Sequence, residues 1–106
     1  MKAWLIAFAF TQAVEVPIYL RAGAGWRAAL LASTLTHPLV WFGFSTVRGL
    51  GLSYSGTLVV VEAFAILVEA AWLSSRRVKR AFLWSLLANL TSVTLGFLSR
   101  AAFGWP

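Results

Sequence analysis

Three glutamates, Glu15, Glu62 and Glu69, and a single histidine, His37, are the side chains of this sequence best suited to hold a cation or carry a proton. They are also the whole of its acidic and imidazole inventory. All three acids fall inside apolar stretches and none in a connecting segment. A charged side chain at mid-membrane costs about 2.5–3.5 kcal/mol even on the lenient insertion scale, so three acids in such places call for a physical reason. Glu62 and Glu69, seven apart, share one helix face, and Thr11 and Glu15, four apart, share another. Thr34 with His37, and Asn89 with Ser92, add hydroxyl, imidazole and amide groups at helical spacing of three. Glu15, Glu62, Glu69, His37, Thr34, Asn89 and Ser92 are therefore the candidate site for a substrate, a proton or a cation. Pro38 after His37 has no backbone amide to donate and leaves a carbonyl free beside the imidazole. Pro17 repeats the device two residues after Glu15.

Other chemistries have less to work with. No cysteine is present, which removes disulfides, thiolate metal sites and thiol redox chemistry. Three carboxylates and an imidazole are donors of the kind zinc or manganese takes, but HExxH and similar spacings are missing, and the metal question stays open. No Gly-rich phosphate loop occurs, so Gly23, Gly25, Gly49 and Gly51 read as turns, and no cofactor is expected. A structural role competes with function: buried Glu, Asn, Thr and His can hydrogen-bond across helices, each adding about 0.6 kcal/mol and at most near 2.

The elements that must position these groups follow from composition. Among 106 residues 60% are hydrophobic and only 11% charged, with mean hydropathy +0.82; a soluble domain carries about 25% charged residues. Four apolar stretches, 3–20, 26–47, 56–73 and 81–105, each approach the roughly 17–25 residues a helix needs to cross the hydrocarbon core. Backbone amides in lipid are satisfied only in helices or closed barrels, and these segments lack the alternation of barrel strands. The expected fold is all-α, a transmembrane bundle of four helices, with the first segment retained because no signal-peptide cleavage pattern follows it. The halves resemble each other: Glu15 precedes a turn and then Ser33 to Pro38, and Glu69 precedes a turn and then Ala88 to Val93. That points to two helical hairpins as parallel repeats, with Thr34 matched to Asn89.

The net charge of +6 is sorted along the chain in a way that suits membrane orientation better than nucleic-acid binding, and no nucleic-acid partner is expected. Arg21, Arg27, Arg76, Arg77, Lys79 and Arg80 flank the first and third connections, against Lys2, Arg48 and Arg100 on the other side. By the positive-inside rule the first and third connections face the cytoplasm and both termini face outward. Arg76, Arg77, Lys79 and Arg80 would touch anionic lipid headgroups. Trp4, Tyr54 and Trp105 would lie at the outer interface, and Tyr19, Trp26 and Trp72 at the inner one. At about 1.5 Å per residue, Glu15 and Glu69 sit roughly 6–8 Å inside the cytoplasmic boundary. The polar track is then expected to be a vestibule open to the cytoplasm and closed outward by Trp41, Phe42 and Phe44.

At Glu15-Val16-Pro17, Thr34-Leu35-Thr36-His37-Pro38, the Glu62/Glu69 pair and Asn89-Leu90-Thr91-Ser92, the chain resembles a group of small uncharacterised bacterial four-helix membrane proteins. In that group Thr-Asn-Pro or Thr-His-Pro follows a polar residue in the second helix and paired glutamates mark the third. The resemblance implies a multi-pass protein of the bacterial inner membrane and brings no activity with it. A looser similarity in length, helix number and the Glu15-Val16 pair is to small multidrug resistance transporters. There the third helix has an aromatic and glycine-rich packing surface in place of Glu62 and Glu69.

The function expected from these residues is proton- or cation-linked transport or channel activity by a homo-oligomer. The alternative is an accessory or assembly subunit bound to a larger membrane protein. An intramembrane hydrolase, with glutamate and histidine activating water and Asn89 stabilising an oxyanion, ranks third. The expected topology is checked by cysteine accessibility: Ser75→Cys should label only from the cytoplasmic side and Ser53→Cys only from outside, and the reverse pattern inverts the protein.

Overall fold

Long apolar segments punctuated by glycine, serine and arginine turns fold here as four helices: α1 Lys2–Arg21, α2 Trp26–Arg48, α3 Tyr54–Ser75 and α4 Ala81–Phe103. The computed structural model describes residues 2–104, among which there is no strand. The assignment of Trp105 to the fourth segment and to the outer interface lies outside the described residues. At 20 to 23 residues each, the helices are about 30–35 Å long. Three of them, α1, α3 and α4, are long and apolar enough to cross a membrane. The fourth, α2, has the length but not the apolarity, because Arg27, Ser33, Thr34, Thr36 and His37 dilute it. Helix α3 starts at Tyr54, two residues earlier than its apolar run suggests, because the Ser53 hydroxyl caps it by accepting the Gly56 amide at 3.0 Å.

The helices form a closed ring. Each packs against its two neighbours in chain order, α4 returns to α1, and the backbones of diagonal pairs stay apart, with long side chains such as Tyr19 reaching across. Leucine, valine and phenylalanine cover the outside, with Leu39, Phe42, Val59, Leu67, Leu83 and Leu98 all exposed. The interior is uneven along its length. The hydrophobic core, Tyr19, Ala24, Ala29, Ala32, Leu73, Val78, Ala81 and Ala88, gathers at the end carrying the α1–α2 and α3–α4 turns. Alanines let the backbones approach there, and Tyr19 and Leu73 fill the space between them without any exposed surface.

Both turns are the same device. After α1, the Gly23 amide donates to the Leu20 carbonyl at 3.1 Å and the Ala24 amide to Tyr19 at 3.1 Å. After α3, the Arg77 amide donates to Ser74 at 3.0 Å and the Val78 amide to Leu73 at 3.0 Å. This is the Schellman pattern, in which a left-handed residue ends the helix and the next residue packs back on it. Ala24 and Val78 accordingly join the core beside Tyr19 and Leu73. The first turn places glycine at the left-handed position, Gly23 with φ +95°; the second places Arg77 there with φ 64°. An L-residue in that conformation carries a cost of about 1–2 kcal/mol that glycine avoids. Arg77→Gly should therefore stabilise the protein against denaturation in detergent and Gly23→Ala should destabilise it, each by about 1 kcal/mol of unfolding free energy, read from the shift in midpoint. Equal midpoints in both variants would show that the turns are not under this constraint.

Candidate functional site

Glu15 and Glu69 each stand six residues before the end of their helix, one turn above the core, and both are almost fully buried. A buried carboxyl needs partners for its oxygens, and helices α2 and α4 supply them. The Ser33 hydroxyl donates to Glu15 Oε1 at 2.6 Å and the Ser92 hydroxyl to Glu15 Oε2 at 2.6 Å. The Thr36 hydroxyl donates to Glu69 Oε2 at 2.5 Å, and Asn89 Nδ2 donates to Glu69 Oε1 at 3.2 Å. Each carboxyl thus takes one bond from its own hairpin, from Ser33 or Asn89, and one from the other hairpin, from the residue three positions further on, Ser92 or Thr36. One contact breaks the likeness: the Tyr19 hydroxyl donates to Glu69 Oε1 at 2.5 Å, whereas Leu73, in the corresponding place, has nothing to offer Glu15. Asn89 Nδ2 is anchored in turn on the Ser85 carbonyl at 2.8 Å, and the Ser85 hydroxyl donates to Ile66 O at 2.7 Å. Four helices are joined through two carboxyl groups.

Above these carboxyls lies a cavity of about 450 Å³. Glu15, Thr36, Glu69, Asn89 and Ser92 form its floor, Thr11, His37, Val61 and Glu62 its middle, and Phe44, Tyr54, Leu58 and Arg100 its upper wall. From Arg100 to Asn89 is eleven residues of α4, so the cavity descends about 16 Å. A second hollow of about 410 Å³ shares Trp41, Tyr54, Leu58 and Arg100 with it and extends to Ala3, Ile6 and Phe97. The cavity therefore opens at the end carrying the α2–α3 turn. That is opposite to the expected direction: the small-residue core closes the hairpin end, Trp41 and Phe44 line the cavity instead of sealing it, and Phe42 points outward.

Glu62, unlike the floor carboxyls, makes no hydrogen bond or ion pair among the described residues and is only partly buried. His37 also faces the cavity, but its ring lies among aromatics: stacked on Trp41 at 6.2 Å, edge-on to Phe8 at 5.4 Å and tilted to Trp4 at 6.1 Å. Its Nδ1 is buried without a partner, and the ring makes no hydrogen bond to a carboxyl among the described residues. The pairing that a water-activating dyad requires is not formed there. No group of three His, Cys, Asp or Glu is placed to hold a metal ion among the described residues.

Of the residues singled out from the sequence, Glu15, Glu62, Glu69, His37, Asn89 and Ser92 line this one cavity. Thr34 does not. It is exposed, accepts from Gln12 Nε2 at 2.9 Å and donates to its own helix at Leu30 O. The α2 hydroxyls that reach the carboxyls are its neighbours on the inner face, Ser33 and Thr36. Tyr19 was also missed: four residues after Glu15, at a helix end, it has the signature of an interfacial aromatic, and nothing in the sequence tells that it reaches across to α3. No protein-family model, curated protein or solved structure matches this chain. The difference between the two faces of α2 is measurable. Thr36→Val should lower the denaturation midpoint in detergent by about 0.6–2 kcal/mol, while Thr34→Val should leave it nearly unchanged; similar losses in both would contradict the placement of α2.

Proposed function

We propose that this chain is a multi-pass protein of a bacterial inner membrane that binds and moves a cationic solute or protons through the carboxyl-floored cavity. All four helices would span the bilayer, with α2 keeping Ser33 and Thr36 inside the ring and its leucines toward lipid. With the positive-inside orientation, the turns bearing Arg76, Arg77, Lys79 and Arg80 lie at the anionic headgroups of the cytoplasmic side, and the cavity opens outward. The two hairpins are best described as parallel repeats. The matched Schellman turns and matched donors to Glu15 and Glu69 support that, with Ser33 rather than Thr34 as the counterpart of Asn89.

A single observation carries the functional reading: an unpartnered carboxyl, Glu62, faces a cavity whose floor is made of two more carboxyls. Glu15 and Glu69 have both oxygens occupied by hydroxyl or amide donors, whereas Glu62 has none to give up when a cation arrives. A membrane-embedded acid in a cavity is the ordinary mark of an ion or proton path. The cavity is blind at the hairpin end, so passage requires that plug to open, which a homo-oligomer would assist by supporting the ring from outside.

Liposomes containing the purified protein and a trapped pH indicator should show proton or choline flux above protein-free vesicles. Glu62→Gln and Glu69→Gln should each reduce it by roughly tenfold or more, since a contact to a charged group contributes about 1.5–3 kcal/mol. Absence of flux, together with choline binding unchanged in Glu69→Gln, overturns the proposal; co-purification of a stoichiometric larger partner would replace it with the accessory-subunit reading.

A further inference from the structure

The mouth of the cavity carries charge of the opposite sign to its interior. Arg100 lines the upper wall and is exposed, and its guanidinium makes no hydrogen bond or ion pair among the described residues. Tyr54 lines the same wall, and the Arg48 guanidinium lies over its ring, 5.7 Å from the centroid. A site for a simple cation gains nothing from a guanidinium at its entrance. Glu62 is eight residues into α3 and Arg100 three residues from the end of α4, so their backbones differ in level by about 7 Å. Both side chains are long enough to close on one molecule between them, yet they do not pair with each other. Between and around them the walls are apolar, with Trp41, Phe44 and Leu58, and the second hollow continues this apolar space past Phe97.

Resting on the cation-binding reading above, we infer that the ligand is a zwitterion on an apolar body, its ammonium held by Glu62 and its anionic oxygens by Arg100. Guanidinium binds carboxylate and phosphate alike through paired N–H donors. The same chemistry therefore fits a water-soluble apolar amino acid or the phosphoethanolamine headgroup of a lipid. Neither charge of the ligand is left without a counter-charge, and the apolar body replaces water along the aromatic wall.

The test is calorimetric titration of the full-length protein in detergent with phenylalanine, with phenethylamine, which keeps the ring and the ammonium but lacks the carboxylate, and with lysophosphatidylethanolamine. At least one zwitterion should bind about tenfold more tightly than phenethylamine, the gain expected of a charge-assisted contact. Arg100→Gln should erase that advantage, and Glu62→Gln should weaken the zwitterion and the amine together. Preference for phenylalanine identifies a soluble source, and preference for the lysolipid identifies the bilayer. Phenethylamine binding as well as both zwitterions, with Arg100→Gln changing nothing, overturns the inference and leaves the cation site standing. Binding of none of the three overturns both.

Discussion

Two carboxyl groups buried among apolar helices must each find donors, and every helix of the bundle is arranged to meet that demand. Water would satisfy a surface glutamate without help. Here the oxygens of Glu15 and Glu69 are reached by hydroxyl and amide groups on the other helices, including the Tyr19 phenol from the diagonal one. The rotation of α2 and α4 about their axes follows from this, because Ser33 with Thr36 and Asn89 with Ser92 must face inward together. Once those faces are set, the leucines between them are turned outward, and the outer surface acquires the apolar cover that suits lipid. Where apolar contacts alone distinguish poorly between helix pairings, such hydrogen bonds carry much of the specificity.

Much of this was legible from composition and spacing, and the omissions have physical causes. The acids confined to apolar stretches, His37 on the second helix and the Asn89–Ser92 pair on the fourth do line one cavity. Thr34 is exposed and Ser33 buried because successive helical residues point about 100° apart, so one position of register separates the inner face from the outer face. In the hydrogen bonds to the two carboxyls, it is Ser33 rather than Thr34 that stands where Asn89 does. The direction of the cavity was not visible because it depends on volume: aromatic residues on α2 suggested a seal, while the seal is made of alanines that let backbones close around Tyr19 and Leu73. Tyr19 itself contacts a residue 50 positions away, and spacing within a helix carries no information about such a partner.

The polarity of α2 exceeds what that constraint requires. Helix α4 also donates to both carboxyls and keeps the apolarity of a span, whereas α2 adds Arg27, Thr34 and His37 to its two donors, Ser33 and Thr36. Its aromatic end, with His37 enclosed by Trp4, Phe8 and Trp41, lines the part of the cavity where packing gives way to open space.

The near-equivalence of the two hairpins stops at Tyr19 and Leu73, and that difference limits how the molecule could be built from fewer parts. Two copies of the first hairpin would bring two phenol rings into a plug that now encloses one ring and one isobutyl group with no exposed surface on either. Two copies of the second would leave no phenol at all, and both acids would lose the third donor that Glu69 has. Joining unlike halves in one polypeptide guarantees the mixed pair every time the chain folds. A bundle of paired identical hairpins would have to be symmetric, and its two acids could not be told apart.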